Sequence, residues 1–143
     1  MKSKLRKSLN DNKFVFTAET SPPDSGSKID VIDQVKSLKG LADAINVTDG
    51  AGANSHMSAL ATAAIIAEDG IEPILQFTTR DRNRIAIQGD LLGGWALNIP
   101  NILCLYGDEV KSGDQPEAKE VRDLDTISLL KTANNIKINK NYP

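Results

Sequence analysis

The sequence predicts an α/β fold built on a parallel sheet of repeated strand–helix units, and three observations lead there. Short apolar strand patterns alternate strictly with helical patterns, the order a parallel sheet needs because every strand requires a crossover to return beside its neighbour. The strands are near-continuous in apolar residues, as in strands covered on both faces. The repeat is about 30 residues, the size of one strand–helix unit with its loops. Four units fit within 143 residues. They suit either a small open doubly wound sheet or half of an eight-stranded barrel, since a complete barrel typically needs ~250 residues.

Residues 1–12 are polar and charged and are expected to be a loose N-terminal segment, ahead of one domain over 13–143. The first strand is expected over 14–19, where Phe14-Val15-Phe16-Thr17-Ala18 is rich in β-branched and aromatic residues. Pro22 and Pro23 end it, and a helix over 28–39 follows with Ile32, Val35 and Leu38 as its apolar side. The second strand is Ala44-Ile45-Asn46-Val47-Thr48. Its helix opens with Ser55 as N-cap and carries Met57, Leu60, Ala61, Ala64 and Ile65 at helical spacing. Pro73-Ile74-Leu75-Gln76-Phe77-Thr78 is the third strand, with a helix over 82–97 whose apolar side is Ile85, Leu92, Trp95 and Ala96. Gly89, Gly93 and Gly94 cost that helix about 1 kcal/mol each against alanine, and close packing against the sheet is the expected return. The fourth strand spans 101–106, and its helix spans 123–136 with Leu124, Ile127 and Leu130 apolar. The chain ends in a polar tail, Ile138-Asn139-Lys140-Asn141-Tyr142-Pro143, with no fifth strand pattern.

Composition excludes several classes. A net charge of −2 gives no electrostatic case for nucleic acid or an anionic membrane surface. No segment approaches the ~20 apolar residues of a membrane span, and the basic N-terminus is not followed by a signal-peptide core. One cysteine, Cys104, permits no intrachain disulfide and reads as a small core residue. One histidine, His56, excludes a histidine-rich metal site and reads as structural or solvated. The expected compartment is the cytoplasm.

Parallel α/β folds place ligands beyond the C-terminal ends of their strands. Here those ends are Glu19, then Thr48-Asp49-Gly50-Ala51-Gly52, then Thr78-Thr79-Arg80-Asp81, and finally Gly107-Asp108-Glu109. All four are polar, and convergence at all four predicts a shared site. Opposite ends carry Asp43, Glu72 and Asn101 in simple turn contexts. Glu19, halted by the two prolines, reads either as a solvated loop carboxylate or as a half-desolvated general acid. Gly50-Ala51-Gly52 lacks dinucleotide-fingerprint spacing and is no P-loop. Asp108 is either a turn aspartate or an acceptor for an amide-bearing ring. The run from Arg80 to Arg84 is either a solvated charge cluster with Asp81 as N-cap or a phosphate-orienting patch.

Taken together, Glu19-Thr20-Ser21-Pro22-Pro23, Val47-Thr48-Asp49-Gly50-Ala51, Leu75-Gln76-Phe77-Thr78 and Leu105-Tyr106-Gly107-Asp108 resemble the methylenetetrahydrofolate reductase family. Thr79-Arg80-Asp81-Arg82-Asn83-Arg84, continuing to Gln88-Gly89-Asp90-Leu91-Leu92-Gly93, is similar to one bacterial branch of it. The resemblance covers residues 14–131 in order.

That resemblance implies the first four units of a (β/α)8 TIM barrel, truncated, holding non-covalent FAD at its C-terminal face. NADH or NADPH would reduce the flavin, and 5,10-methylenetetrahydrofolate would then accept hydride to give 5-methyltetrahydrofolate. Ring opening of that folate requires protonation of N10. Glu19 matches the family's proton donor, a role that needs a raised pKa. Asp108 matches the aspartate that contacts the pterin and tunes the flavin, its charge favouring the developing cation. Thr48, Asp49 and Ala51 match positions lining the flavin and nicotinamide site. Gln76, Tyr106, Gly107 and Val121 match further flavin-contacting positions. Three positions depart from a well-known branch: Asp49 stands for tyrosine, Gln76 for histidine and Tyr106 for arginine. Strands five to eight of the family barrel have no counterpart here. The sequence thus carries three readings: a flavin-dependent folate reductase, a non-catalytic half-barrel self-associating into a homo-oligomer through open strand edges, and a flavin-free pterin-binding or aldolase-like barrel fragment.

Overall fold

The computed structural model of the chain describes residues 3–139. The first two residues, and the expected tail from residue 140 on, lie outside them. Helix α1 (Lys4–Asn10) leads into strand β1 (Thr17–Thr20), helix α2 (Lys28–Val35) and strand β2 (Ala44–Val47). Helix α3 (Ala59–Glu68), strand β3 (Pro73–Thr78), helix α4 (Arg84–Ala96), strand β4 (Asn101–Leu105) and helix α5 (Thr126–Asn139) complete the series. Short 3-10 turns at Lys36–Leu38, Ala51–Ala53 and Val110–Ser112 occupy the connections.

All four strands are parallel, in the order β1-β2-β3-β4. A doubly wound sheet reverses its strand order at a switch point. The described strands have no reversal; each crossover advances one place in the same direction. Right-handed crossovers repeated in one direction deliver every helix to the same face. The core agrees. Ala18, Ile45, Val47, Leu75, Phe77, Ile102 and Cys104, which alternate along the strands, pack with Val31, Val35, Ala63, Ile66, Ile87 and Leu129 from the helices. Each fully buried Leu, Ile or Val contributes about 1.5–3 kcal/mol. The opposite face carries Glu19, Asn46, Ile74, Gln76 and Leu103, and Leu103 is 42% exposed. Coverage on both faces, expected from the apolar strands, is therefore not what these elements provide. The strands read as apolar because the helix face is packed while the other mixes Ile and Leu with polar side chains.

Several expected boundaries shift for physical reasons. Strand β1 starts at Thr17, and Phe14 and Phe16 are 83% and 64% exposed, stacked edge to face on each other. Their aromatic pattern suggests burial, but they lie before the paired segment. Ser55 does not cap α3; Ser58 occupies that position, and Ser55 bonds Asp114 instead. Asn83, not Asp81, caps α4 by accepting from the Ile85 and Ala86 N–H groups, both at 3.0 Å. In α4 the fully buried residue is Ile87, with Ile85 78% exposed. In α5 it is Leu129, with Ile127 and Leu130 exposed, and Asp125 caps this helix by accepting from the Ser128 N–H, three residues later than expected. Gly94 is buried, but a Cβ there would meet Leu60 and Leu75 only at ordinary contact distances of 3.5 and 3.9 Å. Gly93 would meet Leu60 at 4.0 Å and Gly89 faces open space, so close packing against the sheet does not require these glycines. Cys104 lies in the core, and burial pushes its thiol pKa up.

From Ser3 onward, the N-terminal segment expected to be loose is tied down. Glu72, at the entry to β3, accepts from Ser3 Oγ at 2.6 Å, from the Lys4 and Leu5 N–H groups at 2.7 and 3.1 Å, and from Asn101 Nδ2 at 2.8 Å. Burial alone would raise its pKa, but these four donors outweigh it and hold the carboxyl below its ordinary value. Ser3 also caps α1 by accepting from the Arg6 N–H. Glu72 and Asn101, simple turn residues by sequence, form the N-terminal anchor of the sheet.

Candidate functional site

At the C-terminal end of the sheet, a cleft of about 260 Å³ opens between the loops after β2 and β4, lined by Asp49, Ala51, Gln76, Thr78, Leu105, Tyr106, Gly107 and Asp108. Parallel register puts Gln76, Thr78 and Leu105 on the same sheet face as Glu19. Of the residues singled out in the sequence, Asp49, Ala51, Gln76, Tyr106, Gly107 and Asp108 come together here. Glu19, Thr48 and Val121 lie outside the lining.

Gln76 links Glu19 to the cleft. Its Nε2 donates to Glu19 Oε2 at 2.8 Å, so the exposed carboxylate stands at the cleft margin in a fixed direction. Thr48 is buried, donating to Ser21 Oγ at 3.1 Å and tying the loop after β2 to the one after β1. Between these strands, in register with Glu19, Asn46 has its Oδ1 buried without a partner. Val121 is 45% exposed, and its N–H donates to the Arg80 carbonyl at 2.8 Å.

Asp49 contributes a wall more than a hand. Its Oδ2 accepts from the Thr78 N–H at 2.8 Å, from Thr78 Oγ1 at 3.0 Å and from Arg82 Nη1 at 2.6 Å, and its Oδ1 accepts from Arg82 Nη2 at 3.1 Å. Arg82 also reaches Asp90 and lies over the Phe77 ring, 4.6 Å from its centroid. Burial works against the Arg82 charge, but Asp49 and Asp90 outweigh it and raise its pKa. Arg80 is buried, pairs with Asp81 at 2.9 Å and donates to the Gly50 carbonyl at 3.1 Å. Arg84 pairs with Asp123, which this guanidinium holds far below the usual carboxylate range. The arginine run is therefore split: Arg80 and Arg82 are withdrawn from solvent into ion pairs, while Arg84 is paired but 61% exposed, as in a solvated cluster. Each member is committed to a carboxylate of another loop or of its own neighbour.

Tyr106 is half-exposed, and the Arg122 guanidinium lies 4.0 Å over its ring centroid. Gly107 has φ 90°, and a Cβ there would press on Thr78 and Arg80 at 3.1 Å, so this glycine serves the protein's own packing. Asp108 Oδ2 accepts from the Gly52 N–H at 2.7 Å, bridging the two loops across the cleft. Gly113 packs against the same turn, where a Cβ would overlap the Ala53 carbonyl oxygen. Sequence reading missed Glu120 and Arg122, which sit in a polar loop whose charges resemble any solvated segment. It missed Arg82 as the partner of Asp49 because the two are 33 residues apart.

A wider opening of about 500 Å³ lies beside the loop after β1, lined by Ser21, Pro22, Pro23, Asp24, Asp30, Asp33, Gln34 and His56. His56 Nδ1 lies 2.6 Å from Asp24 Oδ1. Among the described residues, no group of three or more His, Cys, Asp or Glu is arranged to hold a metal, and no helix is long and apolar enough to cross a membrane.

A parallel strand–helix domain here gathers polar groups of β2, β3, β4 and their loops around one cleft at the C-terminal end of the sheet, with Glu19 of β1 at its margin, the place where folds of this class carry their ligand sites. The family model described as methylenetetrahydrofolate reductase matches residues 4–143, and the chain belongs to that family. No curated protein matches it. The family is one of oxidoreductases in one-carbon metabolism, and its members generally use FAD.

Proposed function

We propose that this chain forms the first half of a flavin- and folate-binding barrel, serving the NAD(P)H-dependent reduction of 5,10-methylenetetrahydrofolate to 5-methyltetrahydrofolate. The observation that carries the reading is the Glu19–Gln76 contact at 2.8 Å, which joins a strand-end carboxylate to a cleft already lined by Tyr106 and Asp108. Family membership supports it.

The lining fits a planar, amide-bearing ring. Tyr106 offers a half-exposed aromatic face, Gln76 an amide and Asp108 a carboxylate acceptor, while the partnerless Asn46 Oδ1 beside Glu19 waits for a donor. Tyr106, Gln76, Ala51 and the Gly107 backbone would hold the flavin ring, with Asp49 and Thr48 shaping the wall behind. Bound flavin supplies reversible hydride transfer between the nicotinamide and the folate. Glu19 supplies the proton: Gln76 occupies Oε2, leaving Oε1 to deliver a proton to folate N10. Asp108 orients the pterin and places negative charge near the cation that ring opening creates.

Stopped-flow measurement of the two half-reactions tests this in the full chain loaded with FAD. Glu19→Gln should slow folate-dependent oxidation of the reduced flavin by about 10²-fold or more, while NAD(P)H-dependent reduction stays within about threefold of the parent. Equal impairment of both would make Glu19 structural, and a chain that takes up no flavin would remove the reading altogether.

A further inference from the structure

The loop after β4 is held from behind by one side chain to which the reaction above gives no part. Arg122 Nη1 donates to the Tyr106 and Gly107 carbonyls at 3.0 and 3.3 Å, and Nη2 donates to the Gly107 and Asp108 carbonyls at 3.3 and 3.1 Å. Nε and Nη2 pair with Glu120 Oε2 and Oε1 at 2.7 and 3.1 Å. Glu120 Oε1 also accepts from the Val110 N–H at 3.0 Å, so the pair grips both ends of the loop. The Arg122 side chain is only 12% exposed. Its backbone has φ 42°, a left-handed conformation that arginine rarely adopts and that persists where surroundings over-determine it.

We propose that Arg122 is a positioning residue for the cleft. By clamping three consecutive carbonyls and backing the Tyr106 ring, it fixes the direction of the Asp108 carboxylate and the ring face offered to a planar ligand. The inference rests on the flavin and folate reading for its consequence, though the clamp itself does not. Only a planar fork suits this place. A lysine ammonium is a point charge that neither spans three carbonyls nor stacks on the ring in the same geometry.

The bond from the Gly52 N–H to Asp108 Oδ2 provides a reporter that needs no ligand. Amide exchange is followed in the full chain for the parent, Arg122→Lys and Arg122→Gly, with the α3 amides as the control for overall stability. Glycine relieves the left-handed backbone while removing the clamp; lysine keeps the charge and the main-chain preference of an ordinary side chain. The Gly52 amide should exchange at least about fivefold faster in both variants with α3 within about twofold of the parent. FAD titration should show a Kd about tenfold weaker in both. Unchanged Gly52 exchange in Arg122→Lys overturns the proposal, as does an equal acceleration of Gly52 and α3, which would mark general destabilisation. Should the parent chain take no FAD, the functional reading fails by itself, and Gly52 exchange still decides for or against the clamp.

Discussion

Asp49 offers the sharpest test of how the cleft is built, because the sequence points to a ligand contact and the structure gives its carboxylate to the protein. Asp49→Ala removes an acceptor of four hydrogen bonds, two from Thr78 and two from Arg82. The side chains of the ion pair are 9% and 16% exposed, so water replaces little of what is lost. Breaking a buried pair by removing one partner costs about 3–5 kcal/mol. Arg82 keeps Asp90 and the Thr78 carbonyl, which places the cost near the lower end, about 3 kcal/mol. In a domain of this size that lowers Tm by roughly 6–12 °C. Asp49→Asn retains an acceptor for the Thr78 N–H but turns an amide N–H2 toward the guanidinium, for a loss of about 2 kcal/mol. Urea unfolding followed by the fluorescence of the single tryptophan, Trp95, measures both. A double-mutant cycle with Arg82→Ala should return a coupling of about 1.5–3 kcal/mol. Stability of Asp49→Ala within about 0.5 kcal/mol of the parent, with additive single effects, would refute the view that this pair carries the wall of the cleft.

Three further outcomes are expected. Glu72→Ala should cost about 1–2 kcal/mol and strip exchange protection from the Lys4 and Leu5 amides, since it removes the acceptor that ties α1 to the sheet; retained protection would mean α1 is held by something else. Gly113→Ala should disturb the cleft without touching it, because its Cβ would overlap the Ala53 carbonyl and push the loops after β2 and β4 apart. A crystal structure or NMR shifts showing the Gly52–Asp108 bond intact would contradict that. Glu120, held at about 2 by Arg122 and the Val110 N–H against an ordinary 4.5, contributes stability that is fully present above about pH 4.5 and lost as the pH falls toward 2. Glu120→Gln should therefore flatten the acid limb of the stability profile in that window; an unaltered limb would place the acid sensitivity elsewhere.

Strand–helix alternation, the parallel sheet and the gathering of polar residues at its C-terminal end were legible in the chain because they depend on period and order. Ile45, Val47, Leu75 and Phe77 read as strand and are buried as strand, since apolar β-rich runs have few alternatives. The motifs at Glu19, Asp49, Gln76 and Asp108 were enough to point to the family that the chain belongs to. Which face of α4 and α5 turns inward was not legible, whereas in α2 Val35 and the following Leu38 pack on the core as read. Leu129 displaced Ile127 and Leu130, and Ile87 displaced Ile85, because each of these helices holds apolar residues on more than one side and only docking against the sheet selects between them. Local reading also could not see pairings across tens of residues: Glu72 with the start of α1, Asp49 with Arg82, and Gly113 against Ala53. A charged side chain in a loop looks the same whether it meets water or a guanidinium from another strand end. Only the tertiary structure decides between them, because burial and partner geometry, not residue type, determine whether a carboxylate is left for a ligand or committed to the fold.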